Sequence, residues 1–158
     1  MQKKNKENGI EFFVESEKDT ELIARRLAKI VQKKDIVALS GDLGVGKTVF
    51  ARAFINALPG ALEEVLSPSF PILQIYERAK VEVYHFDFFR LEKPEDAFEL
   101  GIEEAFGCAI SLIEWPERLD FFLPKKSLEI EISFLGGVTE RVIKMSGSKV
   151  WSKRIRNI

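Results

Sequence analysis

The chain has 158 residues, of which 46% are hydrophobic and 31% charged, and its formal net charge is −1. That length suits one domain with a proper core and is too short for two. The near-neutral charge excludes a global drive toward nucleic acid or an anionic membrane. The single cysteine, Cys108, cannot form an internal disulfide and points to a reducing compartment. No apolar run has the length of a membrane span and no apolar segment follows the basic start, so the expected location is the cytoplasm, with no signal peptide, anchor or membrane partner.

In chain order, the first eight residues are polar and lysine-rich and are expected to be disordered. Residues 10–14 read as a first strand. Ser16 and Asp19 mark the start of a helix expected to run to about Lys33, with Leu22, Ile23, Leu27, Ile30 and Val31 on one face. Ile36-Val37-Ala38-Leu39-Ser40 is a strand, and residues 49–58 carry a helical pattern closed by Pro59-Gly60. Residues 70–76 and 81–86 read as an antiparallel hairpin. A helix begins near Pro94 and stops at Gly101, and residues 102–106 continue it after the break. Residues 109–113 form a compact apolar strand. Residues 127–134 alternate apolar and polar, and Gly136-Gly137 turns them into a partner strand at 141–145. Residues 146–158 form a basic tail carrying Lys149, Lys153, Arg154 and Arg156 with no acid among them; its ordinary role is a solvated helical face, and contact with RNA or a partner protein is the alternative. The expected fold is a single α/β domain, a P-loop NTPase-like three-layer arrangement. Its central, mostly parallel sheet carries helices on both faces and antiparallel additions, with the ligand at the carboxyl ends of the strands.

The chemistry centres on Gly41-Asp42-Leu43-Gly44-Val45-Gly46-Lys47-Thr48, which fits G-x-x-x-x-G-K-[ST] between a strand and a helix. Glycines let successive N–H groups point inward, and the helix N-terminus adds partial positive charge, so this loop is a cradle for the phosphates of a nucleoside triphosphate. Lys47 has the reach for the terminal phosphates, and the Thr48 hydroxyl suits Mg²⁺. A second acid is needed for the metal's water shell, and two strands end in one: Glu114 after residues 109–113, Asp87 after residues 81–86. The more apolar strand favours Glu114 as the metal acid, leaving Asp87 to orient water or close on the γ-phosphate. The plainer role for either is capping a helix or pairing with Arg90. Trp115 stacks on a base, covers the site, or is a core tryptophan. Ser67-Pro68-Ser69-Phe70 is a turn that in P-loop proteins often senses the γ-phosphate, with Ser69 as the sensing hydroxyl. His85, inside an apolar strand, and Cys108, with no basic neighbour in sequence, read as structural.

These motifs occur together and in order with His85-Phe86-Asp87-Phe88-Phe89-Arg90, Pro94-Glu95, Leu100-Gly101 and Ile113-Glu114-Trp115-Pro116. In that combination the chain resembles the TsaE family, small bacterial P-loop ATPases of the tRNA threonylcarbamoyladenosine pathway, over residues 16–141. The resemblance implies ATP and Mg²⁺ as ligands, slow hydrolysis by the isolated chain, and TsaD- and TsaB-like partners that modify the adenosine beside the tRNA anticodon, the tRNA being reached through that complex. It implies that Lys47 contacts phosphates, Thr48 and Glu114 hold Mg²⁺, and Asp87 is needed for ATPase activity. Trp115 and Glu117 then line the nucleotide site, and Glu17 approaches the base. The chain departs from the family pattern at Ser69, where threonine is common, and at Phe89, which lacks the usual tyrosine hydroxyl. The alternative reading is a small-molecule P-loop kinase, disfavoured because no arginine-rich insert separates the last central strand from the C-terminal hairpin.

Overall fold

Strand composition sets the order of the sheet. In the computed structural model, which describes residues 1–6 and 9–158, the two most apolar strands, β3 (Ile36–Ser40) and β6 (Ile110–Glu114), lie side by side in parallel. Both are almost wholly buried, as strands covered on both faces must be. Around them the full order is β1-β2-β8-β7-β3-β6-β5-β4, with β1 Gln2–Lys6, β2 Gly9–Val14, β4 Leu73–Arg78, β5 Val81–Asp87, β7 Leu128–Phe134 and β8 Arg141–Ser146. The four strands β7-β3-β6-β5 run parallel, and antiparallel pairs extend both ends.

Alternation along β5 and β6 splits the core in two. Val83, Ile110 and Leu112 join the cluster packed by α1 (Glu17–Ala28), α2 (Lys47–Ala57) and α5 (Lys149–Ile155). Tyr84, Phe86 and Ile113 point the other way, into a second cluster closed by α3 (Asp96–Glu99), α4 (Ile102–Cys108) and a 3₁₀ segment, Pro116–Phe122. Helices therefore cover both faces, as the sequence leads one to expect. The second cluster stops short of β7, whose Glu129 and Glu131 remain exposed between buried Leu128, Ile130 and Ile132. Its alternating sequence records a strand covered on one face only, although it pairs in parallel with β3.

Four expectations are corrected. Residues 2–6 are not disordered: they pair with β2, and the Lys3 ammonium donates to the carbonyls of Arg156 and Ile158, both at 2.8 Å. The expectation for residues 7 and 8 lies outside the described residues. Helix α1 starts at its Ser16 cap, where Ser16 Oγ accepts from Asp19 N at 3.3 Å, but ends at Ala28 and not near Lys33. The chain must turn there to enter β3, with Lys34 at φ 72° and its N–H bonded to Ala109 O at 2.9 Å. Leu22 is exposed, and the buried stripe of α1 is Thr20, Ile23, Ala24, Leu27 and Ala28. Strand β4 begins at Leu73, not Phe70, because the chain folds back on itself: Ile72 (φ 66°) donates to Pro68 O at 2.7 Å and accepts from Asp87 N at 2.9 Å.

The basic tail is built into the fold on one side. Trp151, Ile155 and Ile158 are buried in the larger core cluster, and Trp151 Nε1 donates to Lys126 O at 2.9 Å. Among the described residues no helix is long and apolar enough to cross a membrane. Because Trp151 fills core volume, Trp151→Ala is expected to cost about 3–5 kcal/mol in urea unfolding. A loss below about 1 kcal/mol would show that α5 is an ornament and not part of the core.

Candidate functional site

The parallel register decides what meets what. Asp87 and Glu114 are the last residues of β5 and β6 and are direct partners, so two acids stand side by side at the carboxyl edge of the sheet. The next strand in that row, β3, runs at the same edge into the loop 41–46, which feeds α2. Alternation places Val83, His85 and Asp87 on the face of β5 that carries α2, together with Ile110, Leu112 and Glu114 of β6. A cavity of about 360 Å³ opens there, walled by Gly44, Gly46, Lys47 and Thr48 on one side and by Asp87, Glu114, Trp115 and Phe89 on the other. Ser67 and Ser69 close its rim.

Two glycines make the loop wall. Gly44 and Gly46 have φ of 76° and 116°, and a Cβ built on either meets no atom within 4 Å. Their space is free on the ligand side. Gly41 is different: with φ 139°, a Cβ there would lie 2.3 Å from Ile132 O and 2.9 Å from Val45 Cγ1. It is glycine because the backbone of β7 passes it.

Lys47 is only 5% exposed and donates from Nζ to Gly41 O (2.6 Å) and Asp42 O (2.8 Å), with the Trp115 ring centroid 4.1 Å away. Burial holds its pKa below the ordinary lysine value, and the negative charges of Glu114, Asp87, Glu117 and Asp42 oppose that shift. Both oxygens of Asp87 are engaged: Oδ2 accepts from Ser67 Oγ at 2.8 Å and Oδ1 from Phe89 N at 3.0 Å. Glu114 Oε1 pairs with His85 Nε2 at 2.8 Å, and both side chains are fully shielded from solvent. His85 Nδ1 has no hydrogen-bond partner among the described residues. Donation from Nε2–H to the carboxylate is therefore the arrangement that avoids a stranded buried N–H. His85, expected to be structural, is placed to hold Glu114.

The other expected residues divide. Leu43, Ser69 and Trp115 line the cavity, and Trp115, half-buried with φ 58°, covers the lysine end of the cleft. Gly41 and Asp42 offer only their carbonyls, and the Asp42 side chain is exposed. Glu117 is exposed and outside the lining, contributing charge near Lys47 and no wall. Arg90 does not pair with Asp87; its guanidinium lies 4.4 Å from the Phe70 ring centroid. Val45 is buried core, 2% exposed. Glu17 lines a second cavity of about 290 Å³ that shares Gly44, Gly46 and Val49 with the first. Its far wall is the β7–β8 hairpin, with Val138, Thr139 and Arg141, and Arg141 Nε donates to Val45 O at 3.0 Å. Sequence reasoning missed Arg141 and understated Ser67. The Ser67-Pro68-Ser69 motif was the available signal for the second; nothing local marks the first.

For a metal the donors are oxygens: the Thr48 hydroxyl and the Glu114 and Asp87 carboxylates at the cavity wall. No cluster of three or more His, Cys, Asp or Glu suited to a metal occurs among the described residues. Few protein oxygens beside a phosphate-sized space fit Mg²⁺, which keeps several waters and shares phosphate ligands, and do not fit a soft metal.

Two substitutions probe this geometry. Gly44→Ala has room and should cost about 1 kcal/mol of backbone strain, whereas Gly41→Ala must displace backbone and should cost several-fold more in thermal melts. Equal losses would mean the loop relaxes freely. His85→Leu should cost about 1–3 kcal/mol by leaving buried Glu114 without its donor, and His85→Gln, which keeps a donor near Nε2, should recover part of that. An unchanged melting temperature for His85→Leu would show the contact carries no stability.

The sequence model of the family described as Threonylcarbamoyl adenosine biosynthesis protein TsaE matches residues 14–142, a span that includes every residue of both cavities just described. The chain is 39% identical over 123 residues to the tRNA threonylcarbamoyladenosine biosynthesis protein TsaE of Rickettsia bellii, covering 78% of this chain and 85% of that one. It is 35% identical over 119 residues to the protein of the same name from Bacillus subtilis, covering 75% and 73%. The crystal structure of Bacillus subtilis YdiB superposes with a TM-score of 0.79 at 28% identity, covering 98% of this chain and 95% of that one.

Proposed function

The chain belongs to the TsaE family, and from that premise we propose that it is a Mg²⁺-dependent ATPase, slow in isolation, that serves the threonylcarbamoylation of tRNA with TsaD- and TsaB-like partner proteins. The observation that carries this reading is the cavity in which the glycine loop, Lys47 and Thr48 face Asp87 and Glu114 across a phosphate-sized space. TsaE is the name of the relatives; the ATPase assignment rests on the chemistry of those groups.

In this reading the N–H groups of the 44–48 stretch bind the β- and γ-phosphates at the N-terminus of α2. Lys47 exchanges its two carbonyl acceptors for phosphate oxygens and stabilises charge on the transferring phosphoryl group. Thr48 and Glu114 would hold Mg²⁺, which would supply charge neutralisation at the phosphates. Asp87, released from Ser67, orients the attacking water; Ser69 and Ser67 read the γ-phosphate at the rim. Trp115 and Phe89 exclude bulk water over the lysine. Glu17 and Arg141 border the second cavity, which takes the ribose and base. Glu117 acts at a distance on the charge of Lys47.

The test is a two-part measurement on the purified chain. Lys47→Met should weaken ATP binding by at least tenfold in calorimetry. Asp87→Asn should leave ADP binding within about threefold and abolish multiple turnover, as should chelation of Mg²⁺. Adding TsaD- and TsaB-like partners should accelerate the wild-type rate. Turnover that persists in Asp87→Asn, or survives chelation, would overturn the mechanism.

A further inference from the structure

The end of the sheet opposite the nucleotide cavity has a different character. Strands β3 and β7 run parallel, so the residues that precede them, Lys33-Lys34 and Lys125-Lys126, share that end. Strand β8 runs back antiparallel with Ser146 opposite Glu129, which delivers α5 to the same place. Contacts weld the three segments together. Arg154 forks onto Asp35 at 3.1 and 2.5 Å and also donates to Ile30 O, while Trp151 ties α5 to Lys126 O. With Trp151, Ile155 and Ile158 buried, α5 is fixed in orientation and turns Lys149, Lys153 and Arg156 outward.

The charge of these three segments is one-signed, although exposed Glu129 of β7 and Glu82 of β5 stand at the same end of the sheet. Lys33, Lys34, Lys125, Lys126, Lys149, Lys153 and Arg156 are all exposed, and the only acid in residues 29–35, 124–127 and 147–158 is Asp35, already taken by Arg154. Since the whole chain carries −1, the excess here is balanced by acid elsewhere, and the molecule is polarised in a way its net charge conceals. The pole is also poor in the residues that make protein interfaces. Its only large exposed hydrophobic side chain in those segments is Val150, while exposed Leu43, Leu66, Phe70 and Phe89 lie on or beside the nucleotide rim. Protein interfaces are depleted in lysine and enriched in aromatics, whereas lysine and arginine without aromatic company suit phosphate oxygens, which fix position without reading bases.

We propose that this pole binds the sugar–phosphate backbone of RNA, electrostatically and without base specificity, so that the chain touches RNA directly at the end remote from its nucleotide cavity. The choice of RNA over another polyanion rests on membership of a family named for tRNA modification; the site itself rests on geometry and charge. Residues 143–158, including all of α5, lie outside the family match, so three of the seven cationic residues, Lys149, Lys153 and Arg156, belong to a segment the family model does not cover.

The experiment is fluorescence anisotropy of an unmodified tRNA transcript titrated with the full chain at several salt concentrations. The wild type should bind with affinity falling linearly on a log–log salt plot. The combined variant Lys149→Glu, Lys153→Glu, Arg156→Glu should bind at least tenfold more weakly, with a slope shallower by about 2–3, and keep wild-type ADP affinity and melting temperature. A second variant, Lys33→Glu, Lys34→Glu, Lys125→Glu, reaches the same pole without changing a residue of α5 or its Lys126 contact and should weaken binding likewise. Wild-type tRNA affinity in both variants would overturn the proposal. So would a defect confined to capture by TsaD- and TsaB-like proteins or to anionic vesicles, with tRNA binding intact. Wild-type chain that binds ADP but no tRNA would sink this proposal alone; failure to bind ADP would sink the ATPase reading alone.

Discussion

Three charged side chains, Lys47, Asp87 and Glu114, are nearly buried within one small space at the carboxyl edge of the sheet, and the architecture around them answers the cost of that burial. An isolated buried charge is penalised by several kcal/mol unless paired and hydrogen-bonded. Each here has its own compensation. Glu114 takes Nε2 of His85, Asp87 takes Ser67 Oγ and the Phe89 amide, and Lys47 takes two carbonyls and the face of Trp115. The compensating groups come from the neighbouring strand, the rim loop and the glycine loop itself. Parallel pairing of β5 with β6 and of β6 with β3 is what brings those segments to a common edge. The fold is thus specified as much by where these charges must find partners as by where apolar residues must be buried.

That balance explains what could be read along the chain. The strand–loop–helix unit around Gly41 to Thr48 is written in consecutive residues: an apolar β3, glycines at the positive-φ positions, and a helical period in α2. Asp87 and Glu114 were legible for the same reason, each being the polar residue that ends an apolar strand. The partnership of His85 with Glu114 was not, because 29 residues separate them and only the register of two parallel strands makes them neighbours. Arg141 is more remote still, 96 positions from the Val45 carbonyl it bonds, and a single arginine at the start of a strand announces nothing. The pairing of β1 was hidden differently. Its lysine-rich composition reads as disorder until the antiparallel partner and the C-terminal carbonyls that hold Lys3 are in place.

Glycine illustrates the limit of motif reasoning within the loop. The pattern requires Gly41 and Gly46 alike, yet Gly46, with Gly44 at an unspecified position, leaves the cavity side open while Gly41 is forced by the passing backbone of β7. One motif therefore encodes two constraints. One keeps the cavity wall open, and the other serves the packing that sets the loop against the sheet.

The contacts of Lys47 and Asp87 bear on the proposed ATPase reading. Lys47 is bonded to Gly41 O and Asp42 O, so phosphate must displace two charge-assisted hydrogen bonds to gain its own. That exchange is nearly even in kind, and the gain comes from cancelling charge in a site where burial already disfavours the ammonium. Asp87 is the tighter constraint. Ser67 holds one oxygen and the Phe89 amide the other, which fixes the direction in which each remaining lone pair faces the cavity. The turn is held by the Ile72–Pro68 and Asp87–Ile72 backbone bonds, both short, and it carries the exposed Phe70 outward. On the ATPase reading, binding and turnover are therefore separable. On that reading the glycine loop serves binding, whereas the aim of Asp87 depends on Ser67 and so on the position of the 67–72 turn.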